Sequence, residues 1–194
     1  MRPRVGRALS VVAIVVFASV HATASVVVPL EFREVVDASA LIVRGTVTDV
    51  RAAEARGEGV FTVGTIVVDV VLKGEATDRV VYVRVPGGER GRYRTVVPGA
   101  PELSVGQHAV FFLKRGDDGV WIPVGLSAGI TRVDTDPRNR RAVVVAPPVL
   151  LGRTASVGKV TRGDARRPLL SLAEFESIVR TVVATTRTST GGAR

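Results

Sequence analysis

The hydrophobic pattern of the chain is dominated by a period of two. From Leu41 to Val50, apolar and polar positions alternate, with Val43 and Val47 on one side and Arg44 on the other. Successive side chains of a strand point to opposite faces of a sheet. The segment is therefore predicted to be a half-buried strand, with one face in the core and one face in water.

The same pattern predicts further strands along the chain. Gly45, in the middle of the first strand, indicates a bend or a close approach of two strands. Asp-Gly at 118–119 predicts a hairpin turn, and the Asp-Pro-Arg-Asn sequence at 136–139 predicts another turn. The further strands are expected at 60–73, 79–85, 107–114, 120–124, 129–133 and 141–145. One face of the second strand is expected to carry Ile66, Val68, Val70 and Leu72. The residues expected in the core are Val43, Val47, Ile66, Val68, Val70, Val83, Phe111 and Leu113.

Two helices are expected to flank these strands. The segment 29–40 begins with proline, carries acidic residues in its first turns and repeats apolar residues at a spacing of three to four. Near the C-terminus, Ser171 and Glu174 form a capping-box sequence that opens a helix to about Ala184. Residues 185–194 are predicted to be a flexible tail. The apolar stripe of the second helix is Leu172, Phe175, Ile178, Val179 and Val182.

Residues 1–24 have the three parts of a secretory signal peptide. Three arginines precede an apolar run at 8–20, and Ala22-Thr23-Ala24 supplies the small-x-small pattern of a cleavage site. The apolar run is shorter than the about 20 residues that span a bilayer. We therefore expect cleavage after Ala24 and a secreted or periplasmic domain at 25–184 with no transmembrane segment. The alternative is an uncleaved N-terminal anchor.

The composition narrows the classes of partner. The chain contains no cysteine, so disulfide bonds cannot stabilise it after export. Its formal net charge is +9, a balance that can accompany binding to nucleic acid, acidic glycans or anionic surfaces. However, the basic residues are scattered and aromatic residues make up only 5% of the chain, which leaves few of the stacking platforms that single-strand binders use. We therefore expect no nucleic-acid partner.

The segment 86–104 is long and rich in proline and glycine, so we do not expect it to form one regular element. Loops of this length in compact domains are usually functional or disordered. We take Arg90, Arg92, Tyr93 and Arg94 as candidate binding residues, because three guanidinium groups beside an aromatic ring suit an anion. The alternative is a solvated loop with no ligand. Another stretch, 147–168, is predicted to be irregular.

Residues that usually carry catalysis are sparse. His108 is the single histidine after residue 24, and it opens an apolar strand, which favours a structural role over a catalytic or zinc-binding one. Asp117 and Asp118 belong to the predicted hairpin turn. Asp134 and Asp136 form a D-x-D pattern that is too short for a calcium loop. We predict no catalytic residue, no metal site and no cofactor.

The order of these elements resembles a known family. A short helix precedes ALIVRGTVTDV at 40–50, a long strand ends in VLKG at 71–74, and VGQHAVFFL at 105–113 leads into a hairpin over GDDG before a C-terminal helix. This order resembles the netrin-like domain of tissue inhibitors of metalloproteinases, and bacterial secreted proteins of similar pattern, over 29–184 except for 147–168. The resemblance implies a mainly β fold. Its expected form is a small, five- to six-stranded OB-like Greek-key barrel with one N-terminal and one C-terminal helix.

The resemblance also implies a function. In those inhibitors, the N-terminal residue binds the zinc of the protease through its α-amine and carbonyl. After cleavage, Ser25 would be the N-terminal residue and Val26 would follow it, so both are candidate binding residues. The candidate partner is a secreted metalloprotease. The disulfide bonds that fix this segment in the inhibitors are missing, which raises the entropic cost of binding. We expect a non-catalytic binding domain, with an exported hydrolase or an anion- or glycan-binding module as the alternatives.

Overall fold

The computed structural model describes residues 31–55, 59–145 and 169–191, with side chains as far as 186 and without that of residue 55. The predicted signal peptide, Ser25, Val26 and 147–168 lie outside the described residues. Within them the protein is mainly β, with a multi-stranded sheet and two helices, as the sequence predicts. The helices are α1, Phe32–Ala38, and α2, Leu172–Gly191. The strands are β1 Leu41–Ala55, β2 Gly59–Lys73, β3 Val80–Pro86, β4 Gly88–Arg90, β5 Tyr93–Thr95, β6 His108–Arg115, β7 Trp121–Pro123, β8 Ile130–Thr135, β9 Ala142–Val145 and β10 Leu169–Ser171.

The pairings of five strands form a cycle that begins and ends at β1. β1 pairs with β2 and β2 with β3, both antiparallel. β3 meets β7 in parallel through one residue pair, Val83 with Trp121. β7 pairs with β6, and β6 pairs with β1, again antiparallel. β8, β9 and β10 extend the sheet from β6. We call the cycle β1–β2–β3–β7–β6 the strand ring.

Two hydrophobic clusters lie on opposite faces of β1 and β6. The inner cluster packs between the strands of the ring and contains Val43, Ile66 and Phe111. The outer cluster packs between the sheet and both helices, where the rings of Phe32, Phe112 and Phe175 lie 5.7 to 6.4 Å apart. The prediction that β1 is half-buried is therefore wrong over its first residues. Ile42 lies two residues before Arg44, on the face expected in water, but it is fully buried under the helices.

The second strand changes face along its length. Ile66 and Val68 lie in the inner cluster, as predicted, whereas Val70 and Leu72 pack in the outer cluster. The cause is a shift of register between Arg44 and Gly45 of β1, across which Val68 pairs with Gly45 but Val70 pairs with Arg44. An extra residue in one strand of a pair reverses which face the following side chains occupy. The predicted single face of Ile66, Val68, Val70 and Leu72 is therefore wrong at its end. The close approach predicted at Gly45 is confirmed, because a Cβ there would overlap the Val67 carbonyl oxygen.

Both helices begin with reciprocal caps. In α1, Glu31 and Glu34 form a capping box, and the buried face is Phe32, Val35 and Val36. In α2, the Ser171 backbone N–H donates to Glu174 Oε2 at 3.0 Å, and the Glu174 backbone N–H donates to Ser171 Oγ at 3.2 Å. The hydrogen bonds from the Ser171 side chain and backbone lower the pKa of the Glu174 carboxyl. The capping box is confirmed, but α2 continues to Gly191 and not only to Ala184, so the predicted tail begins as helix.

Candidate functional site

A concave surface lies where the β1–β2 hairpin extends beyond the strand ring. Its floor comes from the far ends of β1, β2 and β3, and its wall comes from the β4–β5 hairpin and the segment that follows it. The concavity has a volume of about 450 Å³ and is open to solvent. We call it the hairpin groove. The lining residues used below are Val50, Ala52, Thr62, Glu89, Arg94, Val96, Glu102 and Leu103.

The wall of the groove comes from the long segment 86–104 that the sequence analysis singled out. Within 86–104, β4 and β5 pair as a short hairpin, with Glu89 opposite Arg94. The segment is therefore not one regular element, as the sequence predicts, but it contains two short strands that the sequence pattern did not indicate. Glycines permit the close packing: a Cβ at Gly88 would lie 2.6 Å from Thr62 Oγ1, and a Cβ at Gly64 would lie 2.6 Å from Leu103 Cδ1.

The arginines of this hairpin are mostly paired with carboxylates. Arg90 Nη1 lies 3.0 Å from Glu54 Oε2, and Arg94 Nε lies 3.3 Å from Glu89 Oε1. Arg92 lies over the ring of its neighbour Tyr93, 5.4 Å from the ring centroid. All four predicted residues are exposed. The structure thus places Arg90, Arg92, Tyr93 and Arg94 on one short hairpin, but two of the three charges are balanced locally, which weakens the attraction for an anion.

A second polar cluster bridges the sheet and α2. Arg44 Nη1 lies 2.8 Å from Glu176 Oε1, and Glu176 Oε2 lies 3.4 Å from Arg180 Nη2. Asp69 Oδ2 lies 3.9 Å from Arg44 Nε and 3.2 Å from His108 Nε2. These last two nitrogens are buried and have no hydrogen-bond partner among the described residues, so their contacts with Asp69 are close in distance but not aligned as hydrogen bonds. The cluster fixes α2 against β1, β2 and β6.

This cluster brings His108 close to a carboxylate, an arrangement that bears on the hydrolase alternative. His108 and Asp69 form an imidazole–carboxylate pair, which in hydrolases orients a histidine toward a nucleophile. The cross-strand partner of His108 is Thr46 on β1. Arg44 and Glu176 pack beside the pair and tie it to the helix. The contact with α2 is made by Arg44, and His108 is joined to it through Asp69.

Two of the remaining carboxylates of the sequence analysis, Asp118 and Asp136, accept hydrogen bonds within turns. Asp118 Oδ1 accepts the Val120 backbone N–H at 3.1 Å, and Asp118 Oδ2 lies 2.7 Å from Arg84 Nη1. Asp136 Oδ1 accepts the Arg138 backbone N–H at 2.9 Å. Within 31–54, 59–145 and 169–186, the histidines and carboxylates form no group of three that could hold a metal ion.

The groove residues carry little signal in the sequence. Val50, Ala52 and Leu103 are small or ordinary apolar residues, and nothing in their spacing distinguishes them from core residues. The indirect signal is the length of β1, whose alternation stops at Val50 while the strand continues to Ala55. Where a strand continues beyond its alternating apolar residues, its end no longer packs in the core and can contact solvent or a partner.

Comparison with the models of known protein families gives no match for this chain. Comparison with curated proteins gives none either. In the described part of the chain, neither helix has the length and apolarity needed to cross a bilayer.

Proposed function

We propose that the strand ring is an OB-like barrel of the netrin-like type and that the protein is an exported, non-catalytic binding domain. The barrel proposal is supported by the order of the pairings, in which the first strand of the ring meets both the second and the fourth in chain order. It is also supported by the inner cluster, which packs side chains from four of the five ring strands against one another. The two helices cover the outer faces of β1 and β6.

One observation carries the binding proposal: the hairpin groove. Loops and hairpins on a rigid scaffold commonly carry binding residues. Here two hairpins and a proline-bearing segment stand at one end of the ring and enclose a concavity of about 450 Å³. Val96, among the lining residues, exposes 71% of its surface and is available for contact with a partner.

Partner capture tests the binding proposal. The exported chain would be immobilised, incubated with culture supernatant or periplasmic extract, and the bound proteins identified by mass spectrometry. Val96→Arg should abolish capture, because it places a long charged side chain in the groove. Val105→Arg is the matched control, since Val105 is 66% exposed and lies outside the groove. Equal loss in both variants, or capture that neither variant affects, would refute the groove as the binding surface.

The sharper proposal is inhibition of a secreted zinc protease by the mature N-terminus. Cleavage after Ala24 would present the α-amine and carbonyl of Ser25, and Val26 would enter the adjacent specificity pocket. A free α-amine has a pKa near 7.7–8.0, so a useful fraction is neutral and able to bind an open zinc position at physiological pH. The lead Ser25-Val26-Val27-Val28 carries no cysteine to hold it rigid.

Extension of the N-terminus tests this mechanism. The mature protein and a version with one extra alanine before Ser25 would be assayed against secreted zinc proteases. The mechanism predicts that only the unextended protein inhibits, because the extension moves the amine away from the metal. Equal inhibition by both, or by neither, would refute it. N-terminal analysis of the exported form tests the cleavage itself, and retention of Met1 on a membrane-bound product would contradict it.

A further inference from the structure

Among the residues that the structure describes, the outer edge of β1 has no strand partner over its second half. β6 pairs with β1 only from Leu41 to Thr46. At the next residue, the Val47 N–H donates to the Gln107 carbonyl and the Val47 carbonyl accepts the Gly106 N–H, both at 2.8 to 2.9 Å. From there to Ala55, no strand in the described part of the chain pairs with this edge.

The backbone groups on that edge point outward. The Val60 carbonyl accepts the Gly87 N–H, so it faces away from β1. Residues that lie opposite each other in an antiparallel pair share this orientation, so Glu54, the partner of Val60, directs its own N–H and C=O to the outer edge. Alternate residues of a strand direct their backbone N–H and C=O groups to the same edge, so Ala52 and Val50 share this orientation. Within 31–55, 59–145 and 169–191, no backbone group fills this row of outward donors and acceptors.

The hairpin groove adjoins the same edge. The side chains of Val50 and Ala52 line the groove, so every second side chain of a strand added beside them would enter it. Glu89, Arg94 and Glu102 are among the residues that line the groove. Arg94 pairs with Glu89 at 3.3 Å, and Arg132 donates to the backbone carbonyl of Glu102 at 3.3 Å and not to its carboxylate. The Glu102 carboxylate is therefore able to pair with a cation from an incoming segment.

We propose that this edge is where a partner docks, and that the docked element is an extended, lysine-bearing segment of a partner protein. The segment adds to β1 as a further strand, makes main-chain hydrogen bonds with Val50, Ala52 and Glu54, and places a lysine near Glu102. The proposal rests on the proposed binding function and adds to it the mode of contact and the chemistry of the segment. Main-chain bonds supply affinity in this mode, and the groove supplies selectivity.

Titration with a defined peptide tests the proposal. The probe is the blocked heptapeptide acetyl-Val-Lys-Val-Lys-Val-Lys-Val-amide, added to the isotope-labelled exported chain and followed by backbone amide shifts. Shifts are expected at 50–54 and along 86–104. The same peptide with methyl groups on alternate backbone nitrogens, in either phase, should bind more weakly, because methylation removes donors and hinders pairing.

Two variants separate the edge from the groove. Ala52→Pro removes one outward donor without removing a bond of the β1–β2 ladder, a position where strands tolerate proline, and it should weaken the peptide about fivefold. Ala52→Ser keeps the donor and is the matched control. Glu102→Gln should weaken the lysine peptide about two- to fivefold, because the contact is solvent-exposed. Dispersed amide spectra of each variant confirm folding.

Several outcomes would overturn the proposal. These are no shifts at millimolar peptide, equal binding of the methylated peptides, equal binding by Ala52→Pro, or shifts confined to another face. A dimer that Ala52→Pro dissociates would show that a second copy of this chain occupies the edge. If Ala52→Pro leaves the capture of a partner unchanged, the edge is not the docking site, but the proposed binding function stands. If the peptide binds at the edge but no partner is captured, the edge can accept a strand, but the proposed binding function is refuted.

Discussion

Replacement of Phe112 by alanine tests whether the outer face of the sheet is a true core. Phe112 exposes only 1% of its surface and lies beside Phe32 and Phe175, with ring centroids 5.8 and 6.4 Å away. Its neighbour Phe111 is fully buried on the other face. A strand with one face in water would bury only one of these two adjacent residues.

The magnitude follows from the packing. Full burial of a phenylalanine side chain contributes about 1.5–3 kcal/mol of transfer free energy, and a cavity that cannot collapse adds to the cost of its removal. Phe112→Ala should therefore lower the free energy of unfolding by about 3–5 kcal/mol, and Phe111→Ala by a similar amount. In a double-mutant cycle, Phe112 and Phe175 should show a coupling of about 0.5–1.5 kcal/mol from their edge-to-face contact.

Urea unfolding followed by circular dichroism and by the fluorescence of Trp121, the one tryptophan of the chain, measures these values. Tyr82→Ala is the control, because Tyr82 is 59% exposed on β3 and its loss should change the free energy of unfolding by less than about 0.5 kcal/mol. A cost below about 1 kcal/mol for Phe112→Ala, beside a full cost for Phe111→Ala, would refute the packing of the helices on this face.

Three further predictions follow from single contacts. Gly45→Ala should destabilise by more than about 2 kcal/mol in the same urea assay, because its Cβ would overlap the Val67 carbonyl; a change within about 0.5 kcal/mol would contradict the close strand approach. Arg44→Met should destabilise by about 1–3 kcal/mol, because it leaves the Glu176 carboxylate, only 14% exposed, without its closest cation; Arg44→Met combined with Glu176→Leu should recover part of that loss, and no recovery would count against the ion pair. The pKa of the Glu174 carboxyl is lowered in the folded state, so its contribution to stability is present at neutral pH and is lost as the pH falls through that lowered pKa; Ser171→Ala should therefore destabilise less in acid than at neutral pH, and an equal effect at both would contradict the capping box as the cause.

Local patterns predicted the elements well. The capping box at Ser171 and Glu174 and the Asp-Gly hairpin at 118–119 both formed, because each depends on bonds between residues close in sequence. The inward faces of β1 and β3 also followed from alternation, as the burial of Val43 and Val83 confirms.

What failed depended on distant partners. The burial of Ile42 required both helices to cover the outer face of β1, which alternation within β1 cannot reveal. The change of face at Val70 required a register shift against Arg44. The contact between Arg44 and Glu176 joins residues far apart in sequence. The groove could not be predicted from the sequence either, because it forms where the end of β1 meets a segment distant in sequence, the one that contains Leu103.

Hydrogen exchange of the chain, alone and in complex with its captured partner, tests the central claim most directly. Backbone amides that become hydrogen-bonded or shielded in a complex exchange more slowly. The account predicts that a partner slows exchange at 50–55 and 86–104, while the outward face of β3 around Tyr82 and the turn at 136–139 are unchanged. Slowed exchange at β3 with none at 50–55 or 86–104 would contradict the hairpin groove as the binding surface.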